Sequence, residues 1–401
     1  MRRGGHADLP LHHGRVPRWL GERMTALGGA IVQAVAWHYG RDEVLRRLSD
    51  PFWFQALGCV LGMDWHSSGI TTSVMGALKR AVNPLSRDIG LYICGGRGRH
   101  SRRTPEELTA IADHTGLDSA PLVRSSKLTA KVDNTAVQDG FQLYLHSFVL
   151  TADGNWAVIQ QGMNGTRRMA RRYHWLSSSL PSFVDTPHAA VVGENQGLIL
   201  NLTHHDAEPT RNALAVMPRE HPDRLMKEIR QVVLPRHHNV RETDVDLKRL
   251  GSVLAVAHDQ GVGDFESLLL CRGLGPRTLQ SLTLVSEVIH GTPSRFTDPA
   301  RYAFAHGGKD GHPFPVPLKV YDESISVLKD AVGKARIGRT DKIRAVQCLD
   351  RFVRRAEQVA DAGVDLQGLI EHEREIAPEL GGRTVFDRPG KRGPEQLELG
   401  I

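Results

Sequence analysis

Apolar residues recur at helical spacing through the first 85 residues of the chain. The run RWLGERMTALGGAIVQAVAWHYG, which follows Pro17, is amphipathic and predicts a helix. Asp50 and Pro51 have the form of an N-cap followed by proline at the first helical position, so FWFQALGCVLGM is predicted to be a buried helix. After a polar loop over 64–69, ITTSVMGALKRAV predicts a further helix. This part of the chain is therefore expected to be helical.

Short strands are predicted farther along the chain. GLYIC (90–94) predicts a strand, and helices are predicted from a capping box over 104–107 and over about 119–131. FQLYLHSFVL and NWAVIQQG flank Asp153-Gly154, which predicts a hairpin with a two-residue type I′ turn. HAAVVG and GLILNLT predict a second hairpin around residues 194–197.

The predicted turn fixes which side chains of the first hairpin lie opposite each other. With Asp153-Gly154 as the turn, the numbers of paired residues sum to 307, so His146 faces Gln161. Tyr144, His146 and Gln161 would then share one face of the sheet, because side chains alternate along a strand.

These elements predict an α/β (α+β) fold in two domains, because 401 residues are too many for one ordinary core. Residues 1–215 are predicted to form a mixed domain with antiparallel hairpins and a catalytic site, and 216–245 a linker. Residues 246–375 are predicted to be all-helical. Residues 376–401, which are rich in glycine, proline and charge, are predicted to form a flexible tail.

Composition narrows the class of protein. The formal net charge of +6 favours a polyanionic partner, although charge alone is a weak signal. No run of 18 apolar residues and no secretory signal is present, so we expect a cytoplasmic, nucleoid-associated protein with no membrane partner. Four cysteines without CxxC spacing argue against a zinc ribbon.

The segment FESLLLCRGLGPRTLQSLTLVSEVIHG (265–291) predicts two helices joined by a tight glycine turn. Gly273 and Gly275 permit backbone conformations closed to other residues and a close approach to a phosphate, while Leu274 packs between the helices. The free N–H groups at the start of the second helix are then expected to face an anion, with Arg277 and Thr278 beside them.

The run GLGPRTLQSL resembles the helix-hairpin-helix of DNA repair glycosylases, nucleases and ligases, which contacts the DNA backbone without reading sequence. The resemblance implies DNA contacts at five residues: Gly273, Leu274, Gly275, Arg277 and Thr278. Glycosylases of this type carry a catalytic aspartate after the hairpin, but the corresponding window here is HGTPSRFTDP, where Asp298 has a different context. The motif therefore implies binding without that chemistry.

Three longer runs, RRGGHADLPLHHGRVPRWL, RLSDPFWFQALGCVLGMDWHSSG and NWAVIQQGMN…ARRYHWLS, resemble a prokaryotic family known as domain of unknown function 763. The resemblance extends from residue 1 to about 375 and implies no mechanism. The functional interpretation therefore rests on individual residues.

The loop over 64–69 is the first candidate for chemistry. Ser67, Ser68 and Thr71 place hydroxyl groups at the N-terminus of a helix, which predicts phosphate binding. Asp64 and His66 are expected to hold a divalent ion or to transfer a proton. The alternative is ordinary helix capping around a buried tryptophan.

The first hairpin is the second candidate. Asp139 precedes a strand whose predicted face carries His146 and Gln161, an outline that resembles restriction-type nuclease cores, although Gln160-Gln161 stands where a carboxylate and a lysine are expected. The predicted catalytic residues are Asp64, His66, Asp139, His146 and Gln161. We expect Asp64, His66 and Asp139 to bind Mg²⁺ or Mn²⁺. The alternative is a solvated sheet face with ordinary cross-strand pairs.

Basic residues predict further DNA contacts. Four arginines have the spacing of one helix face: Arg167, Arg168, Arg171 and Arg172. Aromatic residues at 173–175 follow them, a combination that suits paired phosphates and stacked bases. Lys309, in the loop HGGKDGH, is predicted to make a second backbone contact. The alternative for each is a solvated basic surface.

Three functions are compatible with these features. The leading hypothesis is a DNA-binding protein of DNA processing or repair that acts as a metal-dependent nuclease. The second is a non-enzymatic accessory protein that binds DNA or RNA. The third is a base-excision glycosylase-like enzyme with relocated catalytic residues. Cleavage that EDTA abolishes, or release of a free base, would separate the two enzymes from the accessory protein.

Overall fold

The structure is a computed structural model that describes residues 9–10, 16–63, 68–167, 169–222, 226, 247–301, 318–335 and 338–357. Its helices are α1 (Arg18–Tyr39), α2 (Arg41–Ser49), α3 (Pro51–Val60), α4 (Gly69–Val82), α5 (Ser86–Ile89), α6 (Thr104–Thr115), α7 (Ser119–Lys131), α8 (Glu208–Val216), α9 (Leu247–Asp259), α10 (Phe265–Leu270), α11 (Pro276–His290), α12 (Leu318–Lys334) and α13 (Arg339–Glu357). Its strands are β1 (Leu9–Pro10), β2 (Leu91–Arg97), β3 (Val137–Gln138), β4 (Gln142–Thr151), β5 (Trp156–Asn164), β6 (Met169–Leu176), β7 (Ala190–Val192), β8 (Leu198–Asn201) and β9 (Phe296–Thr297). The predicted α+β class with antiparallel strands is confirmed.

The N-terminal helices form where the apolar pattern predicts them. Asp50 caps α3 by accepting hydrogen bonds from the backbone N–H groups of Phe52 and Trp53 at 2.8 and 2.9 Å. The predicted capping box at the start of α6 is wrong. The hydroxyl of Thr104 donates to the carbonyl of Ser101 at 2.8 Å, because a 3₁₀ segment over 98–103 leads directly into the helix.

The larger sheet has the strand order β1–β6–β5–β4–β2, and β7 also pairs with β6. Because side chains alternate along each strand, the two faces of the sheet belong to two different cores. Val149, Ala157 and Ile159 pack against α1–α4 with α12 and α13. Phe148 and Val158 point to the other face, where the second core lies. The sheet is therefore covered by helices on both sides.

The second core joins the sheet to the helices that follow it in the chain. It contains residues of α6, α7 and α8 together with apolar residues of α9, α10 and α11. This one core therefore contains residues from Cys94 to Ala300 in sequence, on both sides of the predicted boundary between the two domains. None of the described helices is long and apolar enough to cross a membrane.

The predicted register of the first hairpin is wrong by one residue. Its turn contains three residues, because Thr151 and Asn155 pair through a backbone hydrogen bond of 2.8 Å and Gly154 takes a φ of 90°. His146 consequently lies opposite Gln160 and not opposite Gln161. A bulge at residue 144 shifts the register again, between Leu143 and Leu145.

The predicted second hairpin does not form, although both of its strands do. β7 pairs with β6 in the larger sheet, whereas β8 pairs with β3 and β9 in a separate three-stranded sheet. β9 itself lies in a region that was predicted to be all-helical, so this part of the prediction is wrong. Residues 376–401, the predicted tail, lie outside the described residues.

Candidate functional site

The run of arginines that was predicted to lie on one face of a helix includes the start of a β-strand. Arg171 and Arg172 lie in β6, so their side chains point to opposite faces of the sheet, and both residues are fully buried. Tyr173 and Trp175 are also buried. The prediction that this run contacts DNA is therefore wrong for Arg171 and Arg172. Arg167 is exposed in the turn before β6, and Arg168 lies outside the described residues.

Arg171 forms a buried ion-pair network with two aspartates. Its guanidinium donates to both carboxylate oxygens of Asp298, at 2.9 and 2.8 Å, and to Oδ2 of Asp139 at 2.9 Å. All three side chains are fully buried. Arg171 also donates to the backbone carbonyl of Glu194. The network therefore joins four segments that are separated in sequence.

These contacts contradict the predicted metal-ligand and catalytic roles of Asp139. Its Oδ1 accepts from the backbone N–H of Phe141 at 3.0 Å, and its Oδ2 accepts from Tyr173 at 2.6 Å as well as from Arg171. Burial raises the pKa of Asp139, and the charge of Arg171 opposes that rise. Both carboxylate oxygens are already occupied by protein donors. Asp298 serves as the partner of Arg171, a role that sequence reasoning missed.

His146 belongs to a second buried network, in which the direction of each hydrogen bond can be assigned. The carboxylate of Asp133 can only accept, so Gln160 donates to it through Nε2 at 2.6 Å. Oε1 of Gln160 then accepts from Nδ1–H of His146 at 2.8 Å, and Nε2 of His146 accepts from the hydroxyl of Ser126 at 2.9 Å. His146 is fully buried on the face opposite Gln161, so it shares no site with Gln161.

We expect His146 to stay neutral well below the usual range for histidine. Burial lowers its pKa from 6.5 to about 4. Because the unfolded chain binds the proton first, this residue stabilises the fold above about pH 6.5, and about 3 kcal/mol is lost as the pH falls to about 4. An NMR titration of ¹⁵N-labelled histidine, with the His146 signal assigned by its absence in His146→Asn, checks this. A midpoint near 6.5 would contradict it.

The structure brings Ser68, Thr71, Gln161 and Arg172 together on the other face of the sheet. Gln161 donates to the carbonyl of Ser68 at 2.9 Å and is hydrogen-bonded to Tyr144, while its Oε1 has no partner among the residues that the structure describes. Arg172 donates to the hydroxyl of Thr71 at 3.4 Å. Ser68 and Thr71 are both buried, so the described part of the predicted phosphate cradle faces the interior. Asp64, His66 and Ser67 lie outside the described residues.

Arg172 differs from Arg171 in its partners. It donates to Nε2 of His174 at 2.8 Å and to Gln55 at 3.1 Å, and it stacks over the ring of Phe54 at 4.6 Å. No carboxylate in the described part of the chain forms an ion pair with it. Burial lowers the pKa of Arg172 to about 9. Its role here is to satisfy neutral acceptors inside the N-terminal core.

Within the described ranges, no group of three or more histidine, cysteine, aspartate or glutamate side chains could hold a metal ion. Two of the three predicted ligands, Asp64 and His66, lie in the undescribed segment 64–67, and the third is Asp139. Binding of Mg²⁺ or Mn²⁺ therefore stays a prediction.

The two predicted helices around the glycine turn are confirmed as α10 and α11. Gly273 has a φ of 92°, in the region that favours glycine, and Leu274 is buried between the helices. Gly275 has an extended φ of −133°, which any residue adopts. Arg272, Gly273 and Arg277 are exposed. Thr278 is buried, so its side chain faces the core and not the predicted DNA. We call residues 271–278 the α10–α11 loop.

Two carbonyl groups of the α10–α11 loop accept hydrogen bonds from side chains of other elements. Lys131 donates to the carbonyl of Leu274 at 2.6 Å, and Gln138 donates to that of Pro276 at 2.8 Å. Among the described residues, the N–H groups of Arg277 and Thr278 have no acceptor, as is usual for the first turn of a helix. The loop thus presents unpaired N–H donors while its carbonyl acceptors are occupied.

A cleft of about 450 Å³ lies next to this loop. Its walls come from the β3–β4 connection, the end of β5 with the turn after it, residues 194–200, and α11 with the segment before β9. Arg167 and Arg295 line it and are exposed. Gln138 and Gln280 also line it, and Gln138 is the residue that binds the Pro276 carbonyl. The cleft and the loop are therefore neighbours.

Hydrogen bonds fix one wall of the cleft. Asn195 donates to the carbonyl groups of Asp298 and Ala300 at 3.1 and 2.9 Å, and Gln196 donates to the carbonyl of Asp139 at 3.1 Å. Sequence reasoning predicted Arg167 but missed the amide residues, because they lie on separate segments and form no motif. Lys309, the other predicted contact of this region, lies outside the described residues.

The model of a family described as "Protein of unknown function (DUF763)" matches residues 5–316, a range that contains the larger sheet, the α10–α11 loop and the cleft. No curated protein and no solved structure matches the chain. The matched range ends before residue 375, where the sequence resemblance was expected to end. Because the match covers more than half of its residues, the chain belongs to the DUF763 family.

Proposed function

We propose that this protein binds DNA through the sugar-phosphate backbone, without reading sequence, and that the α10–α11 loop is the principal contact. The supporting observation is the arrangement of the loop's backbone: the N–H groups of Arg277 and Thr278 have no acceptor among the described residues, and the carbonyls of Leu274 and Pro276 accept from Lys131 and Gln138. The positive end of the helix dipole adds to the attraction for a phosphate. The likeness of GLGPRTLQSL to a helix-hairpin-helix supports the same assignment.

The charged side chains around the loop agree with this proposal. Arg272 and Arg277 are exposed on either side of the glycine turn. Arg249, from α9, lies close enough for its guanidinium to contact the carbonyl of Gly273 at 3.5 Å. Guanidinium groups near backbone donors favour anions with several oxygen acceptors, such as phosphate, because the two together offer several donors in a fixed geometry.

The described residues favour binding over hydrolysis as the activity of this surface. Asp139 and His146, two residues of the predicted nuclease site, are buried and hydrogen-bonded to other side chains. A nuclease would therefore have to use other residues, and Asp64 and His66 remain candidates. Incubation of labelled single-stranded, duplex and branched DNA with Mg²⁺ or Mn²⁺, with and without EDTA, separates the two functions. EDTA-sensitive cleavage that is lost in His66→Ala would establish the nuclease.

Gly275→Ala tests the proposed contact. Among the described residues, the added methyl group meets nothing closer than the tip of Arg249 at 3.9 Å, and the extended backbone accepts alanine, so we expect a change in stability below about 1 kcal/mol. A phosphate that approaches the start of α11 would meet this methyl group. We therefore expect the affinity for duplex DNA to fall about tenfold, which corresponds to about 1.4 kcal/mol, in a fluorescence anisotropy titration at fixed salt.

Gly333→Ala is the matched control, because it adds the same group at an exposed position of α12 where no atom of the described residues lies within 4 Å. Its DNA affinity should equal that of the unmodified protein. If Gly275→Ala binds DNA as tightly as Gly333→Ala, the α10–α11 loop is not the contact. Thermal unfolding of both variants confirms that any loss of binding is not a loss of fold.

A further inference from the structure

The cleft beside the α10–α11 loop has the dimensions of a ligand pocket. Its volume of about 450 Å³ falls in the range of roughly 300–1,000 Å³ for pockets that hold small molecules. We propose that it receives a single unstacked nucleotide of the DNA that the neighbouring loop holds. This inference rests on the proposed function and adds to it the kind of DNA that binds best.

Unpaired amide groups in the cleft suit a nucleobase. The side-chain amide of Gln280 has no hydrogen-bond partner in the described part of the chain. Asn164 accepts from the backbone N–H of Arg167 at 3.0 Å through Oδ1, and its Nδ2 has no acceptor among the described residues. An amide offers donors and an acceptor together, as the edge of a base does, whereas a phosphate alone offers only acceptors. The amides therefore favour a base over an inorganic anion.

The charges of the cleft suit the phosphate and sugar of the same nucleotide. Arg167 and Arg295 are exposed and form no ion pair in the described ranges. The two acidic residues of the lining are Asp139, which is bound to Arg171, and Glu194. The lining thus carries two exposed guanidinium groups and Glu194, while the charge of Asp139 is compensated by Arg171. This balance favours a ligand with negative charge.

An apolar surface completes the cleft. Leu198, at the start of β8, is 64% exposed although it lies in the cleft wall. An exposed leucine on its own is ordinary, but here it stands among amides and guanidinium groups. It offers the flat side of a base an apolar contact, and apolar side chains that contact unstacked bases are a recurring feature of DNA-binding proteins.

The position of the cleft connects it with the loop. Gln280 follows Arg277 by three residues of α11, so the two side chains lie on the same side of the helix. Gln138 lines the cleft and also binds the carbonyl of Pro276. A strand whose phosphate contacts the start of α11 therefore passes the opening of the cleft.

The test compares a DNA duplex that carries one unpaired nucleotide with the same duplex fully paired. We expect the unmodified protein to bind the bulged duplex about tenfold more tightly. The double variant Asn164→Leu, Gln280→Met removes the amides while it keeps their size, so it should bind both duplexes with equal affinity and the paired duplex as before. Gln33→Met, which makes the same kind of change on α1, should keep the preference.

Each outcome decides between the two proposals. Equal affinity of the unmodified protein for both duplexes overturns the nucleotide pocket and leaves backbone binding to be judged by Gly275→Ala. If the double variant also loses affinity for the paired duplex, the cleft contacts the backbone of ordinary duplex DNA. That result also overturns the nucleotide pocket. A protein that binds neither duplex overturns the proposed function and the pocket together.

Discussion

Replacing Arg171 by methionine is expected to lower the free energy of unfolding by about 3–5 kcal/mol, which is a large part of the stability of an ordinary domain. The guanidinium is the shared partner of Asp139 and Asp298, both of which are fully buried. Its loss leaves two carboxylates without a counter-charge inside the protein. Urea unfolding followed by circular dichroism measures the change.

Two further variants separate the charge of Arg171 from its shape. Arg171→Lys keeps the charge but cannot donate to both oxygens of Asp298 at once, so an intermediate loss is expected. The triple variant Arg171→Met, Asp139→Asn, Asp298→Asn removes the charges together and should recover part of the stability. If Arg171→Met unfolds at the same urea concentration as the unmodified protein, the network does not stabilise the fold.

Gly95→Ala is expected to lower the free energy of unfolding by about 3 kcal/mol or more, at the upper end of single-substitution effects. Gly95 has a φ of 78° in β2, and a methyl group there would collide with the backbone carbonyl of His146 on the paired strand. It would also lie 2.6 Å from the hydroxyl of Thr104. A backbone atom of a central strand cannot move away without breaking sheet hydrogen bonds.

Gly98→Ala is the control that isolates the collision. Gly98 has a similar φ of 60°, but no atom in the described part of the chain lies within 4 Å of the added methyl group, so only the backbone strain of about 1–2 kcal/mol is expected. The difference between the two variants in urea unfolding measures the cost of the contact with β4. Equal losses would show that the close approach of β2 and β4 at His146 is relieved in solution.

The sequence predicted those elements whose signals are local. Asp50 with Pro51 marked the start of α3 because the cap and the proline act on the next three residues only. The two strands of the first hairpin were also predicted correctly from a local pattern. Their register was predicted wrongly, because Asp153-Gly154 fits both a two-residue and a three-residue turn. The structure has the three-residue turn, in which Asn155 pairs with Thr151.

The candidate site depends on contacts that a sequence pattern does not contain. The spacing of Arg171 and Arg172 suited a helix face, but the alternation of a strand sends the two side chains into different cores. The partners of Arg171 lie 32 and 127 residues away, so nothing near it in sequence indicates an ion pair. The glycine turn could be predicted because its residues are consecutive, whereas the cleft is assembled from separate segments.

The Arg171 network also bears on the proposed binding of a nucleotide in the cleft. Arg171 ties Asp139 and the carbonyl of Glu194, both in the cleft lining, to Asp298 beyond β9. The cleft is thus shaped by the folded core before any ligand arrives. If the proposed nucleotide enters it, the backbone of this wall is already in place, and the entropic cost on the protein side falls on exposed side chains such as Arg167 and Arg295.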